Sequence, residues 1–152
     1  GHEGLADALL QRGADVSLQK SDGGTALSLA ASNGRENLVE LALRHAEVNQ
    51  QNNTCVTPLM DAAYKGYERV VDTLIRHGAE INLQDNNGGT ALMAAAAGRR
   101  PAVVRRLLRA GADMMLCCKK GTTALHWAKV GSAECVRALE EHAAAKAAAE
   151  KA

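Results

Sequence analysis

The chain has 152 residues, with 18 Lys and Arg against 17 Asp and Glu, so its formal net charge is only +1. That balance excludes a general attraction to nucleic acid or an anionic membrane, and no apolar run nears the ~18 residues of a membrane-spanning helix. Hydrophobic residues make up 47% of the chain, yet it holds no Phe, one Trp and two Tyr. Any core must therefore be built from Ala, Leu, Val and Ile, which suits thin helical layers.

From the N-terminus, Gly1-His2 reads as a bend and Leu5, Ala6, Leu9 and Leu10 mark a helix over 3–12. No partner helix precedes it, so the expectation is a chain that starts partway into a larger polypeptide. Gly13-Ala14-Asp15-Val16-Ser17 then leads into an extended loop. Thr25-Ala26-Leu27 opens the next unit, with helices over 26–32 and 36–45. Its closing phrase, Ala46-Glu47-Val48-Asn49, follows His45 with no glycine, and a distorted helix end is expected there.

Thr57-Pro58-Leu59 opens the third unit and pairs an N-cap hydroxyl with proline at the first helical position. Leu59, Ala62 and Ala63 continue that helix over 58–64, and Gly66 breaks it. Val70, Val71, Leu74 and Ile75 form the apolar stripe of a helix over 68–77, which Gly78-Ala79-Glu80-Ile81-Asn82 ends. Thr90-Ala91-Leu92 opens helices over 91–97 and 101–110, closed by Gly111-Ala112-Asp113-Met114-Met115. Thr123-Ala124-Leu125-His126 then opens helices over 124–130 and 133–150. There Glu140 stands where earlier units have Ile75 or Leu108, as expected of a capping unit. The Ala, Lys and Glu residues from 143 to 152 are strong helix formers and extend the last helix, as a natural extension or an engineered linker.

The threonine-led phrase returns at Thr25, Thr57, Thr90 and Thr123, a period of about 33 residues. The glycine missing after His45 shortens the first interval. With the Gly-Ala-Asp-Val-Asn-like closings, this pattern resembles ankyrin repeats over 1–142. The resemblance implies an all-α solenoid of stacked helix–turn–helix units with projecting hairpin-like loops. The units run 1–21 (partial), 22–52, 53–85, 86–118 and 119–142 (cap), with 143–152 as a helical tail. Leu27, Leu59, Leu92 and Leu125 should form one ladder, and Leu43, Ile75 and Leu108 another. His126 occupies the position where the family uses histidine to bond adjacent loops.

The resemblance also implies function. The expected role is a protein-interaction module, a scaffold or adaptor segment, with neither catalysis nor a cofactor nor a metal of its own. Partners of such repeats contact loop tips and the inner face of the first helices. On this chain those are Asn53, Thr54, Asn86, Asn87, Lys119 and Lys120 at the tips, Val56 beside them, and Tyr64 and Lys65 on the helix. Ser21, Asp22, Thr122, Ser32, Asn33 and Val130 adjoin them. These positions vary between units, as expected if stacking does not use them, and Tyr64 is the expected anchor. A regulatory segment of a larger enzyme or channel is the second reading.

Other residues weigh less. No G-x-x-x-x-G-K-[ST] or G-x-G-x-x-G phosphate loop is present, and Gly23-Gly24 and Gly88-Gly89 serve loop tips. Asp61 shares an inward-looking register with Leu29, Ala94 and Trp127, and is expected to reach loop amides or a neighbouring His or Lys. Trp127 is a half-buried anchor or, in a third reading, a stacking surface for a nucleotide or small ligand. Arg99, Arg100, Arg105, Arg106 and Arg109 form a solvated outer face or meet an acidic partner. His45 and His77 sit at helix ends, where positive charge is favoured. Cys55, Cys117, Cys118 and Cys135 lack disulfide or zinc spacing, so reduced thiols in the cytoplasm or nucleus are expected.

Overall fold

The computed structural model describes residues 2–152. Three of the opening threonines start their helices as their position suggests. Thr25, Thr57 and Thr90 are buried and extended in backbone, and each hydroxyl accepts a bond from the amide three residues on, at 3.2 Å in every case. Pro58 and Pro101 each occupy the first turn, where the missing N–H costs nothing. The resulting helices are α1 (Glu3–Gln11), α2 (Ala26–Ser32), α3 (Glu36–Leu43), α4 (Pro58–Lys65), α5 (Glu68–Arg76), α6 (Ala91–Ala97), α7 (Pro101–Arg109), α8 (Ala124–Gly131) and α9 (Ala133–Glu150). No strand occurs among the described residues. Every boundary lies within two residues of the one read from sequence.

The helices form two layers. The first helices pack in the order α2–α4–α6–α8, and the second helices pack as α1–α3–α5–α7–α9 behind them. Within the inner layer, Ala31, Ala62, Ala63, Ala95 and Ala96 are fully buried. Their small size lets neighbouring helices approach closely. Gly98 shows how close: a Cβ there would lie 2.2 Å from the Tyr64 carbonyl oxygen of the preceding unit.

The expected ladders are partly redrawn. Leu27, Leu59 and Leu92 are buried, but Leu125 is only half-buried against the core. In the second layer Leu108 is buried, whereas Leu43 and Ile75 are half-buried. The fully enclosed positions there include Val39, Val71 and Val104, with Leu74, Leu107, Cys135 and Leu139. Ile75 stands one residue, about 100° of helix, beyond Leu74 and so turns toward the edge of the stripe. Glu140 is exposed.

The missing glycine after His45 has the expected effect. α5 and α7 run nine residues and meet left-handed Gly78 and Gly111, whereas α3 stops after eight with Arg44 still right-handed.

The loops between units are paired fingers. Within each finger the chain closes on itself, as where the Asp85 amide donates to the Gly89 carbonyl at 2.9 Å. Between fingers, the amides of Asn53, Asn86 and Lys119 donate to the carbonyls of Asp22, Thr54 and Asn87 at 2.9, 3.0 and 2.9 Å. Lower down, Asn49 Oδ1 accepts from the Glu80 amide and Asn82 Oδ1 from the Asp113 amide, both at 2.8 Å. The units 22–52 and 53–85 are thus each tied to the next at both ends of the loop.

Candidate functional site

The side chains that the stack leaves free follow from helical geometry. On each inner helix the residues four and seven places after the capping threonine point the same way, outward from the layer. The first set is Leu29, Asp61, Ala94 and Trp127, and the second is Ser32, Tyr64, Ala97 and Val130. Leu29 is 53% exposed, Tyr64 51%, Trp127 41% and Val130 74%. Half of the large exposed hydrophobic residues of the described chain therefore lie on one face, the inner surface bordered by the fingers.

The register read as inward-looking thus faces the concave surface, and its members are not core residues. Asp61 is half-buried there and makes no bond to loop amides among the described residues. Burial pushes its carboxyl above the usual carboxylate range, and the nearby Lys65 ammonium only partly offsets this. Trp127 stands as a wall at the far end of the same face. A volume of about 410 Å³ lies beside it, between the helices and the finger tips of the last two units.

The residues singled out for partner contact divide into two groups. Tyr64 and Lys65 are exposed on the inner face, and Asn87, Lys119 and Lys120 line the volume beside Trp127. Asn53 and Asn86, by contrast, serve the stack. Asn53 Nδ2 donates to the Ser21 carbonyl at 2.9 Å and Asn86 Nδ2 to the Asn53 carbonyl at 3.4 Å. Their departure from the repeat pattern is therefore not freedom from stacking: an amide side chain bridges fingers wherever it faces a carbonyl. Thr54 spends its hydroxyl on Asn52 Oδ1 at 2.8 Å, and Val56 packs against the core.

The arginine cluster is similarly dispersed. Arg106 bridges Glu68, at 2.7 Å, and Asp72 of the preceding unit. Arg100 Nε donates to the Tyr64 carbonyl at 3.2 Å, and Arg99 lies across the bend at Gly131. Arg105 and Arg109 remain without an ion pair among the described residues. His77 pairs with Glu40 at 3.0 Å, across units. His126 is exposed, and no bond from it to an adjacent loop occurs among the described residues. The side-chain bond in that finger joins Cys118 Sγ to Thr122 Oγ1 at 2.8 Å.

Leu29, Met60, Met93, Ala94 and Ala97 were not among the expected contact residues. Only Leu29 and Ala94 carried a signal, through their shared register with Asp61. No group of three or more His, Cys, Asp or Glu that could hold a metal occurs among the described residues, and no helix there is long and apolar enough to cross a membrane.

The family model for ankyrin repeats, three copies to the model, matches residues 1–85 and again 59–149. The chain belongs to the ankyrin-repeat family. Ankyrin repeats serve in general as protein-interaction modules. Among curated ankyrin-type relatives, it is 35% identical over 77 residues to Protein fem-1 homolog A-like of Mus musculus, a match spanning 50% of this chain and 12% of that protein. It is 41% identical over 67 residues to Ankyrin repeat and SAM domain-containing protein 6 of Rattus norvegicus, spanning 43% of this chain and 8% of that one. The chain thus matches only a small fraction of the length of these relatives.

Proposed function

We propose that this ankyrin chain is a docking segment of a scaffold or adaptor, binding a partner protein along its inner helix face and finger edge. The observation that carries this reading is the alignment of Leu29, Tyr64, Trp127 and Val130, exposed on a face the stack does not need. Exposed apolar residues gathered on one face favour association, and Tyr and Trp are enriched among the few residues that carry most of the energy of such contacts. The free thiols of Cys55, Cys117, Cys118 and Cys135 fit a cytoplasmic or nuclear setting. The short share of each relative that the chain matches also fits a second reading, in which the segment regulates an enzyme or channel in the same polypeptide.

A photo-crosslinking amino acid at Tyr64 or Val130 should capture another protein in cells, and one at Arg109 on the outer layer should not. Capture from Arg109 alone would refute the assigned face. With a captured partner in hand, Tyr64→Ala should weaken binding by about 1 kcal/mol or more while leaving the melting temperature within a few degrees. Unchanged affinity would remove Tyr64 from the interface.

A further inference from the structure

Within that inner face, one stretch differs from its neighbours in depth. α6 carries Ala94 and Ala97 at the two outward positions, where α4 has Asp61 and Tyr64 and α8 has Trp127 and Val130. Two missing side chains leave a trough of about 410 Å³, within the range of specific ligand pockets. Met60, Met93, Ala94, Ala97 and Trp127 make its helix side apolar. Met60 and Met93 form a floor whose unbranched thioethers adapt to varied shapes.

The finger side is polar, and its net charge is positive. Asp85, Lys119 and Lys120 are the charged residues lining the trough. Asp85 Oδ1 accepts from the Asn87 and Gly89 amides, both at 2.8 Å, which fixes this carboxylate within the finger tip. Lys119 and Lys120 are exposed and have no carboxylate partner among the described residues. Two lysines against one carboxylate leave the rim net positive, beside an apolar wall.

Backbone chemistry separates the ligand classes. A phosphate cradle needs several free amides pointing at one place. Here the Asn87 and Gly89 amides are held by Asp85, the Lys119 amide by the Asn87 carbonyl and the Gly121 amide by the Cys118 carbonyl. A carboxylate asks less, because a lysine pair can meet it without backbone help. An apolar side chain, in turn, gains by displacing water from the trough against Trp127 and the methionines.

Building on the docking reading above, we propose that the trough takes one large apolar side chain of an extended partner segment. An Asp or Glu next to it in sequence meets Lys119 and Lys120. In an extended segment successive side chains alternate in direction, so one residue can enter the trough while a neighbour turns to the finger rim.

The test selects a phage-displayed library of random dodecapeptides on the immobilised chain. Two variants serve as counter-targets: Ala94→Trp, which fills the trough, and Lys119→Glu with Lys120→Glu, which reverses the rim. The lysine variant lies on an exposed tip, so it remains informative if Ala94→Trp perturbs packing. Selected peptides are expected to share a Leu, Ile, Met or Phe beside an acidic residue. Each variant should weaken them at least tenfold, and the lysine variant should also remove most of the salt dependence. Three outcomes overturn the proposal: no enriched peptide, peptides without an acidic residue, or peptides that bind Ala94→Trp as tightly as the parent. A thermal shift with ATP that Ala94→Trp abolishes would assign the trough to nucleotides and also overturn it. The wider docking reading is judged separately, by crosslinking from Tyr64 and Val130, neither of which lines the trough.

Discussion

Cys55→Gly should make this protein more stable. Cys55 has φ +61°, at the finger position where the other units have Gly23, Gly88 and Gly121 at +81°, +80° and +74°. A left-handed backbone crowds Cβ against the following carbonyl and costs an L-residue roughly 1–2 kcal/mol. Glycine removes that cost but returns about 0.4–1 kcal/mol, because its unfolded chain is freer. The thiol is half-buried and makes no side-chain hydrogen bond among the described residues, and both backbone bonds survive the change. The Cys55 amide still donates to the Asn52 carbonyl at 2.9 Å, and the Cys55 carbonyl still accepts from Gln51 Nε2 at 2.7 Å. The difference is a gain of about 0–1.6 kcal/mol, centred on about 0.8 kcal/mol. For a chain of this size the central value corresponds to about 2–3 °C in melting temperature. Thermal unfolding followed by circular dichroism measures it, and urea unfolding with an unchanged slope would locate the effect in stability alone. Gly88→Ala is the converse control. Its Cβ would carry the same backbone penalty and lie 2.9 Å from the Cys118 Cα, so it should destabilise. A lower melting temperature for Cys55→Gly would refute the reasoning, since packing of the thiol would then outweigh the backbone strain.

Other perturbations test other parts of the chain. Leu92→Ala should cost about 2–5 kcal/mol in unfolding experiments, and Leu125→Ala less, because Leu125 is only half-buried. Asp61→Asn should raise the melting temperature at pH 7, and the gain should shrink as pH falls toward 3. The folded-state pKa of Asp61 lies above its unfolded value, so its ionisation penalises folding; that penalty is absent below the unfolded pKa and grows as pH rises. Hydrogen bonding to Thr122 holds the Cys118 thiol below the usual thiol range. Thr122→Val should therefore shift the pH profile of Cys118 alkylation upward, as read by mass spectrometry, and an unmoved midpoint would discard Thr122 as the cause.

The repeat was legible because it rests on local rules. Thr57-Pro58-Leu59 sets a cap and a first turn, and Val70, Val71, Leu74 and Ile75 set a buried stripe, wherever the unit stands in the stack. The absent glycine after His45 likewise marked a distorted helix end, though α3 stops at Leu43 and not at 45 as the pattern suggested. Relations between units were less visible. Leu125 matches Leu92 in sequence, but burial depends on neighbours on both sides, and a one-dimensional pattern does not count them. Arg99 carries φ +58°, at a bend where other units place Gly34 and Gly66. In the sequence it reads instead as one member of an arginine cluster.

The site shows the same division more sharply. Tyr64, Lys65, Asn87, Lys119 and Lys120 could be picked out because they are conspicuous residues at variable positions. Asn53 and Asn86 are equally variable, yet their side chains close hydrogen bonds to the preceding finger. Variation between units therefore marks two situations, a surface free for a partner and a joint adapted to one neighbour, and only the location of the facing carbonyl separates them. The trough adds the opposite case. Ala94 and Ala97 attract no notice as residues, because alanine is the commonplace filler of these helices. Their effect comes from what flanks them, Asp61 and Tyr64 on one side and Trp127 and Val130 on the other. A recess is a difference between neighbouring layers, so it becomes readable only when the units are aligned and each outward position is compared for side-chain volume. Applied to this chain, that comparison singles out α6 as the layer where a partner side chain can enter.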